Sequence, residues 1–174
     1  MRVSLVNLQG YSNTKKQDNV NFGTNKAVYL CSSLASGFNP TKEIPTIKEF
    51  IALNMEKALG HAKGIVERGD FPYWNHSTWP KFLDDTKPEQ RKTAMSGCLD
   101  LATRCDVLVY HGEAKGGMLT EMSKANEIGE IVLSRDEYEK MVEEGTFDKF
   151  VEDSPHYKRL HNVLDNEANL EIMA

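Results

Sequence analysis

Residues 106–129, DVLVYHGEAKGGMLTEMSKANEIG, constrain the fold more than any other part of the chain. Val107, Leu108, Val109 and Tyr110 form a short run of strand formers, and the Gly116-Gly117 pair behind it permits a tight turn that exposes backbone. A helix then starts near Met118 or Thr120 and stops at Gly129, because glycine is favoured just past a helix end. Met118, Met122, Ala125 and Ile128 recur at helical spacing and mark its buried stripe. At about 100° per residue Glu121 falls on that same stripe, against the sheet and within the first turn, where the helix dipole favours a carboxylate. A polar side chain on a packing face is an informative exception. It is either a buried Glu satisfied by local hydrogen bonds or a ligand-site residue at the carboxyl end of a parallel sheet.

A chain of 174 residues fits one domain with room for a substantial core. It is 40% hydrophobic and 27% charged, and no apolar run approaches the length that crosses a bilayer, so no membrane partner is expected. The apolar stretch from Val3 to Leu8 is too short for a cleavable signal and runs into polar residues, so a cytoplasmic protein is expected. Cys31, Cys98 and Cys105 include no CxxC pair, and their odd number argues against a disulfide framework. Cys31 and Cys105 lie in or beside predicted strands, where a free Cys acts as a small buried hydrophobe. The five histidines show no metal-ligand spacing, so neither a metal nor an organic cofactor is expected. A net charge of −5 with only isolated basic pairs excludes a surface built for a nucleic-acid polymer. A small nucleoside or nucleotide remains compatible.

Residues 1–26 read as a possible strand followed by a polar loop. The strand AVYLC over 27–31 leads into SSLASGFNPT, whose small side chains and hydroxyls let an anion approach backbone N–H groups. An ordinary polar loop has the same composition, and neither GxxxxGK[ST] nor GxGxxG is present. Residues 46–68 predict a long amphipathic helix, with Ile47, Phe50, Ile51, Met55, Leu59, Ala62 and Val66 inward and Gly69 as its stop. Residues 71–74 supply a short strand, kept from a fully bonded position by Pro72. In the loop 75–85, Trp79 with Tyr73 and Trp74 could wall a flat base or simply join the core, and Asp84 and Asp85 could start the helix that follows. Residues 88–104 make that helix, with Ala94, Cys98, Leu101 and Ala102 inward, and 130–133 a last strand. Residues 135–174 read as a helical extension, so 27–134 form the core of a single domain.

This order predicts an α/β, doubly wound, mainly parallel sheet in a three-layer α/β/α arrangement of the Rossmann or flavodoxin kind. The carboxyl ends of its strands gather the loops 31–37 and 75–85 and the turn 111–121 into one default pocket.

Three pieces of this core, VYLCSSL, RCDVLVYHG and GGMLTEMSKANEIG, resemble the nucleoside 2-deoxyribosyltransferase-like superfamily of deoxyribosyltransferases and nucleotide N-glycosidases. The segment WNHSTWPKFLDDTKPEQR is similar to a less characterised bacterial and phage branch. The resemblance implies cleavage or transfer at an N-glycosidic bond, with Glu121 as nucleophile through a glycosyl-enzyme. It implies that Tyr29, or the hydroxyls of Ser32 and Ser33, orient the nucleophile or bind sugar and phosphate. Gly37, Trp79, Asp85, His111, Gly116, Gly117 and Met118 would complete the substrate site, and a homodimer would be expected. One departure stands out: Cys98 holds the helix position where the family places an Asp that handles the leaving base. Asp100 should face elsewhere, and Asp84, Asp85 or His76 would have to substitute. A nucleotide-binding protein without catalysis is the alternative that this departure suggests.

Overall fold

The computed structural model describes residues 25–84 and 87–162. Four parallel strands, β1 (Ala27–Ser32), β2 (Phe71–Tyr73), β3 (Val107–His111) and β4 (Ile131–Ser134), line up in the order β2-β1-β3-β4. The register sets Val28 opposite Val107 and Val107 opposite Ile131, so the carboxyl ends of β1, β3 and β4 finish together. The chain moves outward from β1 to β2 and then returns past β1 to β3. That reversal opens a crevice between the carboxyl ends of β1 and β3, where open α/β sheets bind ligands.

Alternation along the strands divides the core into two layers. Val28, Val107 and Val109 face α1 (Ile47–Arg68), α4 (Arg135–Glu143) and α5 (Phe147–Asp153), where Ile65, Tyr138, Phe147 and Val151 close over them. Tyr29, Cys31 and Leu108 face α2 (Pro88–Ala102) and α3 (Gly117–Glu127), meeting Ala102, Met118 and Ala125. The α/β three-layer expectation therefore holds. Residues 155–162 are helical as well.

The helix limits follow from their caps. Thr46 and Glu49 form a capping box that starts α1, and Gly69 ends it at φ 98°, a left-handed conformation suited to glycine. Ser134 and Glu137 form a second box that starts α4 directly off β4. The predicted inward stripe of α1 is corrected at its far end. Leu59 and Val66 are 47% and 58% exposed, while Ala58, Ala62 and Ile65 are buried. The helix lies close on the sheet, and small Ala58 and Ala62 fit the contact where larger side chains would not. Ile47, the first residue of the predicted stripe, is also half exposed.

Among the described residues no helix is long and apolar enough to cross a membrane. The three cysteines are buried and free, and the described residues hold no cluster of metal-ligating side chains. The predicted strand from Val3 to Leu8 lies outside the described residues.

Candidate functional site

Glu121 is 5% exposed and sits on the inward face of α3. Its carboxylate is held from the sheet: the Tyr29 hydroxyl donates to Oε1 at 2.9 Å, and the Cys31 thiol donates to Oε2 at 2.9 Å. Tyr29 and Cys31 are two residues apart on β1 and so point to the same face. The Cys98 thiol, from α2, adds a further hydrogen bond to the same carboxylate. Three neutral donors from two elements thus surround one buried acid.

The electrostatics differ from the sequence expectation. α3 begins at Gly117, so Glu121 stands past the first turn, and helix-dipole stabilisation, which fades beyond that turn, is not its main support. Burial pushes the Glu121 carboxyl above its ordinary range, and the hydrogen bonds from Cys31, Tyr29 and Cys98 pull it part of the way back. Burial and the adjacent carboxylate push the Tyr29 hydroxyl and the Cys31 thiol far up, so both keep their protons and remain donors. The Cys98 thiol is raised for the same reasons, burial first.

Above Glu121 lies a narrow cleft of about 80 Å³ that opens to solvent. Ser32, Ser33, His76, Trp79, Gly117 and Met118, all anticipated from the sequence, line it together with Glu121. The Ser32 hydroxyl lies 3.4 Å from His76 Nδ1, which brings the loop after β1 to the turn after β2. Trp79 packs against α2 where Gly97 leaves room: a Cβ there would come within 2.8 Å of the indole. The indole N–H is buried without a hydrogen-bond partner among the described residues.

Other expected site residues fall elsewhere. Gly37 and His111 line an adjoining pocket, separated from the cleft by a ridge of Ser32, Ser33, Ser36 and Lys115. Gly116 lines neither pocket. It takes φ 51°, and a Cβ on it would press to 2.9 Å from the Ser36 hydroxyl, so its role is to let two loops touch. Asp84 is exposed, pairs with Lys87 at 3.8 Å and stands away from the cleft; Asp85 lies outside the described residues. Asp84 does not cap α2 either, since that helix starts at Lys87 without a side-chain cap. The aromatic wall reduces to Trp79, because Tyr73 is exposed on the edge strand and Trp74 packs under α1 against Leu30, Ala58 and Ala62. Asp100 is exposed and paired with Arg104, as its helical angle requires.

Sequence reasoning does not single out Arg91 and Met95, which also line the cleft. Their signal was present, since Arg91, Met95 and Cys98 recur on one face of α2. The role of Cys31 was masked because a thiol in a strand reads as an apolar core residue.

Residues 26–134 match the family described as a domain of unknown function, DUF7768. The chain belongs to the DUF7768 family. No curated protein and no solved structure matches it. The matched span of the DUF7768 domain holds all four described strands and every described residue that lines the cleft.

Proposed function

We propose that this protein cleaves the N-glycosidic bond of a nucleoside or nucleoside 5′-monophosphate, or transfers its deoxyribosyl group, with Glu121 as nucleophile. The observation that carries this reading is a single buried carboxylate at the sheet's switch point, held by uncharged donors and bordering an open cleft. Tyr29 and Cys31 fix both oxygens without neutralising them through a cation. Glu121 attacks the anomeric carbon as the bond from that carbon to the base nitrogen breaks and its electron pair leaves on the base. Protonated His76, which lines the same cleft, gives the departing nitrogen its proton. Water or a second base then attacks the anomeric carbon, frees the carboxylate and returns a proton to His76. Trp79 offers a stacking face for the base. A small-molecule substrate, a homodimer and a cytoplasmic setting accompany the reading.

Product analysis by chromatography tests it, using ribo- and deoxyribonucleosides and their 5′-monophosphates with the parent protein and with Glu121→Ala. Free base, or base exchange, is expected from the parent alone; equal turnover by Glu121→Ala overturns the assignment. The nucleophile must be ionised, and burial raises its pKa. The acid limb of kcat/KM is therefore expected above the ordinary Glu value of 4.5. The second reading, a nucleotide-binding protein without catalysis, draws on Cys98, whose raised thiol makes a weak proton donor where the family has an Asp. Stabilisation by one nucleotide in thermal unfolding, with no product formed, would favour it.

A further inference from the structure

The position that would hold an acid for a leaving base carries the Cys98 thiol, which is turned to Glu121. The α2 side of the cleft must therefore meet the base by other means. From α2 the cleft takes Arg91, Ala94 and Met95 besides Cys98. Arg91 precedes Cys98 by two turns on the same face and stands exposed at the mouth. Gly117, the first residue of α3, lets the two helices close there: a Cβ on it would lie 3.2 Å from Met95 Sδ and 3.8 Å from Arg91 Nη2. Glu121 follows Gly117 by one turn on the same face of α3. The Arg91 guanidinium is thus set across the cleft about one helical turn from Glu121. Trp79, the stacking face, rests on the same helix as Arg91, at Gly97.

Donor and acceptor chemistry narrows the base. A guanidinium has five N–H donors, no acceptor, and a fork that fits two acceptors side by side, so one pair can face a ligand whatever else the side chain touches. A purine with an oxo group at C6 presents such a pair in N7 and O6. An amino group at C6 puts a donor in the second place, opposed to the guanidinium. The remaining side chains do not compensate. Ala94, Met95 and Met118 offer an amino group no oxygen or nitrogen, and Glu121, the one carboxylate lining the cleft among the described residues, is turned to Tyr29, Cys31 and Cys98. The oxo pair also serves departure. As the bond from the anomeric carbon to the base nitrogen breaks, its electron pair spreads through the ring toward N7 and O6, and a cation placed there holds the growing charge until His76 delivers its proton.

Resting on the glycoside reading of Glu121, the geometry points to Arg91 as the residue that selects the base: a 6-oxopurine, held through its N7 and O6 by the guanidinium. The test is calorimetric titration of the full chain with hypoxanthine and adenine, which share their ring system and differ at C6, beside chromatography of 2′-deoxyinosine and 2′-deoxyadenosine after incubation. Hypoxanthine is expected to bind about tenfold tighter than adenine or better, and Arg91→Ala to remove that preference by weakening hypoxanthine alone. Arg91 is exposed, so its replacement leaves the packing intact. Arg91→Lys keeps the charge without the fork and should not restore the preference. Equal affinities in the parent, no binding of either base, a preference retained by Arg91→Ala, or full rescue by Arg91→Lys overturns the proposal. Preferred binding of hypoxanthine with no base released from either nucleoside would uphold Arg91 and sink the chemistry of Glu121. Equal affinities with base released from both nucleosides at one rate would sink Arg91 and keep Glu121.

Discussion

The two ends of the sheet bury charge by opposite means. At the amino end a charged residue stands immediately before each strand: Lys26, Asp70, Asp106 and Glu130, all at most 5% exposed. Three of them are tied into the frame. Lys26 Nζ meets Glu152 at 2.6 Å and lies over the Tyr157 ring. Asp70 accepts from the Lys26 N–H and from Arg68, and Asp106 accepts from the Ala27 N–H at 2.7 Å and binds His161. At the carboxyl end Glu121 meets only hydroxyl and thiol donors and borders a cleft. Ion pairs and backbone bonds lock the first set in place. Glu121 is held by neutral donors alone, so the partners of a buried carboxylate, and not its burial, distinguish the two ends.

Glu130 breaks this contrast, and it supplies the largest expected effect. Both of its oxygens lack partners among the described residues, and burial, then the Asp106 carboxylate, push its pKa up to about 8. The unfolded chain releases that proton near 4.5, so between the two values the folded state holds the extra proton. Stability should then fall as pH rises through this window, by up to about 1.4 kcal/mol per pH unit. Denaturation of parent and Glu130→Gln across that window isolates the contribution, and the variant should lose the slope. An unchanged slope would place Glu130 among the locked charges.

Next in size is Asp106→Ala, which strands the half-buried Ala27 N–H and releases His161. A loss of about 3 kcal/mol in urea is expected, with the pH response of Glu121 unaltered. Tyr29→Phe removes one donor from Glu121 at little cost in packing. It should lower turnover about tenfold and move the acid limb of the rate upward, while melting close to the parent. A stability loss without a shifted limb would make the carboxyl-end contacts as structural as those at the other end. The smallest effect belongs to Gly97→Ala: its methyl would push Trp79, and a fewfold rise in KM with kcat retained is expected.

The elements were largely legible because each carries its own punctuation: Thr46 and Gly69 bound α1, and Gly116-Gly117 opens α3. Glu121 was legible as a polar residue on an apolar stripe. The rest depends on partners remote in sequence. Lys26 and Glu152 lie 126 positions apart, and no local pattern links them. Cys31 joins Glu121 across 90 positions, although its place two residues after Tyr29 held the clue. The inward face of α1 slipped because Leu59 and Val66 outrank alanine in any hydrophobicity pattern, whereas tight packing selects Ala58 beside the expected Ala62.

The family span ends at residue 134, where α4 begins. The core does not end there: Tyr138, Phe147 and Val151, all beyond it, cover Val28, Val107 and Val109. Any relative built on the shared span alone must roof that side of its sheet with something else. Inheritance of the cleft and inheritance of the roof are therefore separable, and the latter is where this lineage has room to diversify.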